Sequence, residues 1–130
     1  MIILIKVKNK SVSKAVKINT GYASIRVKSA AGLKATLVAN PVSVAVQADD
    51  TVFQLYKSGV ITSGCGDKVN HGVVAVGYDS FDGVEGYIVK NSWGTIWGNA
   101  GYVYIGTDDS QNNGNGVCGI LKDTSFPTKN

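Results

Sequence analysis

The segment from His71 to Lys90 constrains the fold of this chain most strongly, because its pattern predicts two strands joined by a turn. His71 to Tyr78 is a continuous, mostly apolar run, and we expect it to form a strand buried on both faces. Asp79-Ser80-Phe81-Asp82-Gly83 predicts the turn, and Tyr87 to Lys90 predicts the return strand. An antiparallel hairpin is therefore expected at the centre of the fold.

The residues before this hairpin predict both strands and a helix. Lys14 to Tyr22 alternates as a half-buried strand would. Ser29 is suited to cap a helix in which Leu33 and Leu37 share one face. Pro41 is expected to end that helix, because the residue before a proline avoids the α region. Three residues then point to the same side of a predicted strand: Val42, Val44 and Val46.

Three further segments complete the predicted elements. Thr51 to Lys57 favours a short helix that stops at Gly59. Tyr102 to Ile105 predicts another strand, and Asp108 to Gly116 predicts a polar, flexible loop. The sequence thus predicts an α+β fold, with an antiparallel β-sheet or barrel-like arrangement and one or two short helices.

The size and composition of the chain favour one globular domain. The chain has 130 residues, 44% of them hydrophobic, which is enough to bury a core. No apolar run approaches the roughly 20 residues that span a bilayer, so no membrane association is predicted. The apolar segment from Met1 to Ile5 lacks a basic leader and a cleavage site, so it is not expected to be a signal peptide.

The net charge of +4 is distributed unevenly along the chain. Residues 1–40 contain eight lysines and arginines and no acidic residue, whereas all nine acidic residues follow. A basic arm can bind nucleic acid or an anionic surface. However, this arm has one aromatic residue, Tyr22, and no motif that stacks on or reads bases. We therefore expect solvated lysines on a strand face and no nucleic-acid partner.

His71 opens one strand of the predicted hairpin, and Asn91 follows the other, so strand pairing can bring their side chains together. A lone histidine at the start of a buried strand is more often a core residue than a catalyst. An Asn carbonyl that accepts from one ring nitrogen, however, fixes the tautomer and directs the other nitrogen toward a nucleophile. Trp93 could shield that hydrogen bond from water. Spacing alone leaves both interpretations open.

The two cysteines, Cys65 and Cys118, each lie beside glycine and form no CxxC arrangement. Two cysteines and one histidine are too few ligands for zinc, so no metal site and no cofactor are expected. A disulfide is the simpler interpretation, and it would indicate an oxidising compartment. Cys65 is a poor candidate for a nucleophile, because no helix is predicted beside it to activate the thiol.

From about Ile18 to Asn130 the chain resembles the C-terminal, right-hand half of a papain-like cysteine peptidase. The histidine block ends in His-Gly-Val-Val-Ala-Val-Gly-Tyr, and the asparagine block begins with Lys-Asn-Ser-Trp-Gly. The matching segments agree with the family in order and spacing: Asn40 to Val46, Phe53 to Gly59, Cys65 to Tyr78, Lys90 to Tyr102, Gly116 to Ile120 and Ser125 to Pro127. Residues 1–17 show no clear match and form a separate basic segment in this interpretation.

The resemblance implies a role for each matching residue. His71 would be the base and proton donor, Asn91 its orienter and Trp93 the shield. Cys65 and Cys118 would form the family's disulfide. The resemblance places four residues at the main specificity pocket: Ala45, Val69, Asn70 and Asp123. Asp123 would close its floor and accept a basic side chain, although a solvated acid near the C-terminus is an equally good interpretation.

The resemblance also implies what the chain lacks. The family's nucleophile lies in a Cys-Gly-Ser-Cys-Trp-like segment about 130 or more residues before the histidine. Only 70 residues precede His71, so that segment cannot be present, and we expect the chain to be inactive alone. A left-hand domain that supplies the cysteine would be its partner, and peptides or proteins its substrates. The alternative is a non-catalytic homologue that binds peptides or a protein partner. The family implies a lysosomal or vacuolar compartment, or secretion.

Overall fold

A seven-stranded sheet organises residues 20–128, which are the residues that this computed structural model describes. The strands are β1 (Gly21–Ala23), β2 (Val42–Val46), β3 (Val60–Ile61), β4 (His71–Phe81), β5 (Val84–Lys90), β6 (Tyr102–Gly106) and β7 (Thr124–Thr128). Their order across the sheet is β1-β7-β2-β4-β5-β6-β3, and only the β3–β6 pair is parallel. The predicted α+β class and antiparallel sheet are confirmed, and the sheet is open.

Two short helices accompany the sheet, as predicted. They are α1 (Ala30–Leu37) and α2 (Thr51–Gln54). Ser29 caps α1, because its hydroxyl accepts a hydrogen bond from the Gly32 N–H at 3.0 Å. Leu33 and Leu37 are both buried, so the predicted apolar face of α1 is confirmed. The helix ends ahead of Pro41.

Strand β2 shows the alternation that its sequence predicts. Its three valines are buried, whereas Ser43 and Ala45 between them are half-buried. In the β2–β4 pairing, Ala45 lies opposite Gly72, and Val46 lies opposite His71. The register of β2 therefore places Ala45 beside the start of the strand that carries the histidine.

The central hairpin is longer, and its turn shorter, than the sequence predicts. Strand β4 continues through Phe81, and β5 already begins at Val84. The turn is formed by Asp82 and Gly83 alone, with φ values of 51° and 81°. Positive φ at both central residues is the requirement of a two-residue type I′ turn, which Asp-Gly satisfies well. The Asp-Gly dipeptide alone therefore forms the turn, and the polar residues around it belong to the strands.

The prediction that the His71–Tyr78 run is buried on both faces is wrong. Val73 and Ala75 are buried, but Val76 and Tyr78 are 42% and 38% exposed. The ladder with β5 shifts register between Ala75 and Gly77, so Val76 has no opposite residue in β5. Apolar composition could not distinguish a strand covered on one face from one covered on both.

Three other segments differ in extent from the predictions. Helix α2 ends at Gln54 instead of Lys57. The predicted loop from Asp108 to Gly116 contains a 3-10 turn at Gln111–Gly114, followed by a second one at Val117–Gly119. Most of the predicted strand from Lys14 to Tyr22, like the 1–17 segment, lies outside the described residues. Strand β6 confirms the prediction for Tyr102 to Ile105.

Candidate active site

The side chains of His71 and Asn91 are joined by a hydrogen bond. Strand β4 begins at His71, and β5 ends at Lys90, so the hairpin brings the two residues together. His71 Nε2 lies 2.7 Å from Asn91 Oδ1. The same oxygen accepts the Ser92 N–H at 2.8 Å. Asn91 is 8% exposed, which makes it one of two buried polar residues among those described.

The environment of Asn91 determines the tautomer of the neutral imidazole. Its amide orientation is fixed by the Ser92 N–H, which can bond only to an acceptor. The oxygen therefore faces His71, and Nε2 must carry the proton that is donated to it. Nδ1 is left as the acceptor of the ring, and it has no hydrogen-bond partner among residues 20–128. A ring in this state can take a proton through Nδ1.

Trp93 covers one face of the imidazole. The His71 and Trp93 rings are stacked, with centroids 5.0 Å apart and an interplanar angle of 26°. Trp93 itself is 41% exposed. The indole thus stands between solvent and one face of the histidine ring, and it keeps a free surface of its own.

Trp93 is held in place by two aromatic residues that were not predicted to belong to the site. Phe53 of α2 meets the indole edge-on, with centroids 5.5 Å apart, and Trp97 does the same at 5.2 Å. The indole N–H of Trp97 donates to the Gln54 carbonyl oxygen at 3.0 Å. Helix α2 therefore holds the loop that follows β5. The spacing of the two tryptophans was a visible signal, but their contact with α2 depends on tertiary packing.

A shallow hollow of about 200 Å³ opens near the start of strand β4. Ala45 and Asp123, two of the four residues predicted to line a pocket, both line it. Gly72 lines it as well, and a Cβ atom added there would meet nothing within 4 Å. Gly72 was not among the predicted site residues, although its position directly after His71 was a usable signal.

The other two predicted pocket residues, Val69 and Asn70, do not line this hollow. The Asn70 side-chain oxygen accepts the Ala48 N–H at 2.9 Å, and the Asn70 N–H donates to the Val46 carbonyl oxygen at 3.0 Å. Asn70 thus ties the segment before His71 to the end of β2. The assignment of both residues to a pocket stays a prediction.

Cys65 and Cys118 form the predicted disulfide, with their Cα atoms 4.7 Å apart. The Asn112 side-chain amide donates to the carbonyl oxygens of Cys65 and Gly116, at 3.0 and 2.9 Å. These contacts fasten the second half of the polar loop to the segment that leads to His71. Because the chain contains two cysteines, the disulfide leaves it with no free thiol.

Two titratable groups close to these elements have shifted pKa values. Burial raises the pKa of the Tyr56 phenol, which donates to the Gly59 carbonyl oxygen at 2.6 Å and packs near Trp97. The Asn115 amide donates to the Asp67 carboxylate at 2.9 Å and lowers its pKa. At neutral pH the phenol is therefore neutral, and the carboxylate is charged.

The described residues contain no group of three or more His, Cys, Asp or Glu side chains that could hold a metal ion. Within residues 20–128, no helix is long and apolar enough to cross a membrane.

Comparison with known proteins identifies the family. The model of the papain family cysteine proteases matches residues 5–128, so the chain belongs to that family, whose members are hydrolases. It corresponds to the family's C-terminal region.

Its curated relatives include plant proteases. The chain is 42% identical over 122 residues to the senescence-specific cysteine protease SAG39 of Oryza sativa, covering 93% of this chain and 35% of that protein. It is 45% identical over 111 residues to the probable cysteine protease RDL2 of Arabidopsis thaliana, covering 84% and 30%. The chain thus spans about a third of the length of these relatives.

Solved structures of cysteine proteases are similar to this chain in fold. Bromelain from Ananas comosus, in complex with the E64 inhibitor, has a TM-score of 0.83 and 39% identity, covering 90% of this chain and 54% of that one. The proform of the ragweed pollen allergen Amb a 11, a cysteine protease, has a TM-score of 0.82 and 32% identity, covering 92% and 32%.

Proposed function

We propose that this chain supplies the general base of a papain-like cysteine peptidase site, together with the amide that orients it. His71 is the base and proton donor, Asn91 the orienter and Trp93 the shield. The observation that carries this proposal is the 2.7 Å contact between His71 Nε2 and Asn91 Oδ1, because it leaves Nδ1 free to face a thiol. In this chemistry a thiolate attacks the peptide carbonyl, the imidazolium protonates the leaving amine, and water hydrolyses the acyl-enzyme.

The nucleophile has to come from outside this 130-residue chain, since both cysteines are in the disulfide. In this proposal a left-hand domain contributes the cysteine and forms the other wall of the cleft. Peptides or proteins are the substrates. Without a thiolate beside it, His71 has no anionic partner with which to form an ion pair, and the chain alone does not hydrolyse peptides.

The purified chain with its disulfide intact tests this last point. We expect no turnover of a fluorogenic peptide that papain-like enzymes cleave, at any chain concentration. The control is a complete plant relative under the same conditions, which an epoxide thiol trap inhibits. Turnover by the chain that the same trap abolishes would contradict the proposal.

The hollow formed by Ala45, Gly72 and Asp123 is proposed to accept the substrate side chain two residues before the scissile bond. The exposed Asp123 carboxylate at the margin of the hollow allows it to accept a basic side chain as well as an apolar one. Val69 and Asn70 contribute to the same pocket only once the rest of the cleft is present. In a complete enzyme that contains this chain, peptides with Arg at that position should be cleaved faster than the same peptides with Leu. Asp123→Ala should remove this difference in cleavage rate. An unchanged ratio would leave Asp123 as a solvated acid.

A non-catalytic role is the second candidate, and the exposure of two apolar side chains favours it. Trp93 is 41% exposed and Ile96 is 92% exposed in the loop that follows Asn91. Such a surface can bind an extended peptide without cleaving it. Saturable peptide binding by the isolated chain, lost on Ile96→Ser, would support this role. Absence of binding would favour the peptidase role.

Two further proposals concern organisation and location. We propose that residues 18–130 form the half-domain and that residues 1–17 are a separate basic segment without a nucleic-acid partner. The relatives are plant proteases and the chain carries a disulfide, which supports a vacuolar or extracellular location. Salt-dependent binding of DNA by the chain would contradict the proposal that residues 1–17 have no nucleic-acid partner.

A further inference from the structure

The polar loop before Cys118 carries two Asn-Gly dipeptides in succession, Asn113-Gly114 and Asn115-Gly116. Asn-Gly is the dipeptide at which an asparagine side chain most readily cyclises onto the following backbone nitrogen, because glycine offers no side chain to obstruct the approach. The two dipeptides are chemically identical and two residues apart. A difference in their reactivity that exists in the folded protein and disappears on unfolding must come from their surroundings in the structure.

The Asn115 side chain is held at both ends. Its Nδ2 donates to the Asp67 carboxylate at 2.9 Å, and its Oδ1 accepts from Lys28 Nζ at 3.0 Å. The following residue, Gly116, is buried, and its N–H donates to the Gln111 carbonyl oxygen at 3.0 Å. Cyclisation at this position would have to break all three hydrogen bonds, two of which involve a charged group.

The Asn113 side chain is in the opposite situation. Asn113 is exposed, and its carboxamide has no hydrogen-bond partner among residues 20–128. A Cβ atom built on Gly114 would meet nothing within 4 Å, so neighbouring groups leave room around the reacting atoms. The Asn113 carboxamide is therefore free to rotate toward the Gly114 nitrogen.

We propose that Asn113 is a site of spontaneous deamidation in the folded protein, and that Asn115 is protected. The Gly114 backbone nitrogen attacks Cγ of Asn113, the Cγ–Nδ2 bond breaks, and the nitrogen's proton leaves with the departing group as ammonia. Water then opens the cyclic imide at either carbonyl and gives aspartate or isoaspartate. The reaction needs no oxidant or metal, water is its only external reactant, and it is independent of the peptidase chemistry.

The product changes the charge of the loop. A new carboxylate at position 113 would add to Asp108 and Asp109 in the same segment. Isoaspartate would also lengthen the backbone next to Asn112, whose amide binds the carbonyl oxygen of disulfide-bonded Cys65. Deamidation would thus act on the contact that fastens this loop to the segment leading to His71.

Incubation of the disulfide-bonded chain at mildly alkaline pH, followed by peptide mapping, tests the proposal. Both dipeptides lie in one tryptic peptide, 91–122, whose mass changes when NH is exchanged for O, and fragmentation assigns the change to position 113 or 115. We expect Asn113 to react at least about tenfold faster than Asn115 in native buffer, a difference of about 1.4 kcal/mol in barrier height. In urea under reducing conditions the two rates should become equal.

Two variants make the comparison specific. Asp67→Ala removes the acceptor of the Asn115 amide and should raise the rate at Asn115 without changing that at Asn113. Asn113→Gln should remove most of the native deamidation signal. Equal or reversed rates in native buffer would overturn the proposal. So would a faster reaction at Asn113 that persists unchanged in urea, because the difference would then be local to the sequence.

Discussion

Asn91 is the residue on which the geometry of the candidate site depends. Its single side-chain oxygen accepts two hydrogen bonds, one from the His71 ring and one from the Ser92 backbone N–H. Because the backbone donor cannot reverse its role, the amide orientation and the histidine tautomer are both fixed. A buried Asn at the end of a strand is otherwise unfavourable, since its Nδ2 has no partner among the described residues.

This arrangement predicts the state of the imidazole in the isolated chain. His71 is the only histidine in the sequence, so nitrogen NMR reports it without overlap. We expect the neutral ring to carry its proton on Nε2 and Asn91→Ala to increase the Nδ1-H population. Asn40→Ala is a matched control because Asn40 lies outside the site. A neutral ring already protonated mainly on Nδ1 would contradict the hydrogen-bond assignment.

At the scale of elements, α1 shows how the sequence determines packing. Ser29 satisfies an N–H at the start of the helix, and Leu33 and Leu37 place the apolar face against the sheet. Leu33 is fully buried, whereas Val38, just after the helix, is 78% exposed. Neighbouring positions in one segment therefore differ greatly in their contribution to the free energy of unfolding.

The two positions make a matched pair for measurement. Leu33→Ala should lower the free energy of unfolding by about 2–5 kcal/mol, because it leaves a cavity in the core. Val38→Ala should change it by less than about 0.5 kcal/mol. Urea denaturation followed by circular dichroism measures both. Similar losses for the two variants would mean that α1 does not pack as described.

Lys34 of α1 also reaches Glu85 of β5 at 2.8 Å, and Thr107 donates to the same carboxylate oxygen. The Lys34 and Thr107 hydrogen bonds lower the pKa of the Glu85 carboxyl. The folded state therefore favours the charged form. The contribution to stability is present above the ordinary glutamate pKa and disappears as the pH falls through the lowered one.

We expect Glu85→Gln to cost less than about 1 kcal/mol at neutral pH, because both partners are partly exposed and solvent screens them. The difference between wild type and variant should vanish in acid, when Glu85 is protonated. Thermal denaturation at several pH values measures it. A difference that grows in acid would contradict the assigned direction of the pKa shift.

Local patterns predicted some of these elements well and others poorly. The alternation in β2 and the Ser29 cap are properties of neighbouring residues, so the sequence sufficed. The length of α2 and the exposure of Val76 depend on which surfaces the rest of the chain covers. The pairing of His71 with Asn91 could be predicted because both residues lie at the ends of one hairpin. The support of Trp93 by Phe53 could not.

At the scale of the whole molecule, the disulfide and the hairpin hold the candidate site in position. The link between Cys65 and Cys118 closes a loop of 53 residues that contains both His71 and Asn91. In the chain-entropy model, such a loop closure stabilises the fold by about 4 kcal/mol. The use of both cysteines in this link is also what leaves the chain without a thiol.

We propose that His71 and Asn91 are competent for catalysis once a cysteine is supplied. The most direct measurement is peptide turnover by a chimera in which residues 20–128 replace the corresponding region of a complete relative such as bromelain. We predict turnover that an epoxide thiol trap abolishes, and a loss of at least about a hundredfold in kcat on His71→Ala. A chimera that folds but does not cleave peptide, or one whose activity survives His71→Ala, would contradict the claim.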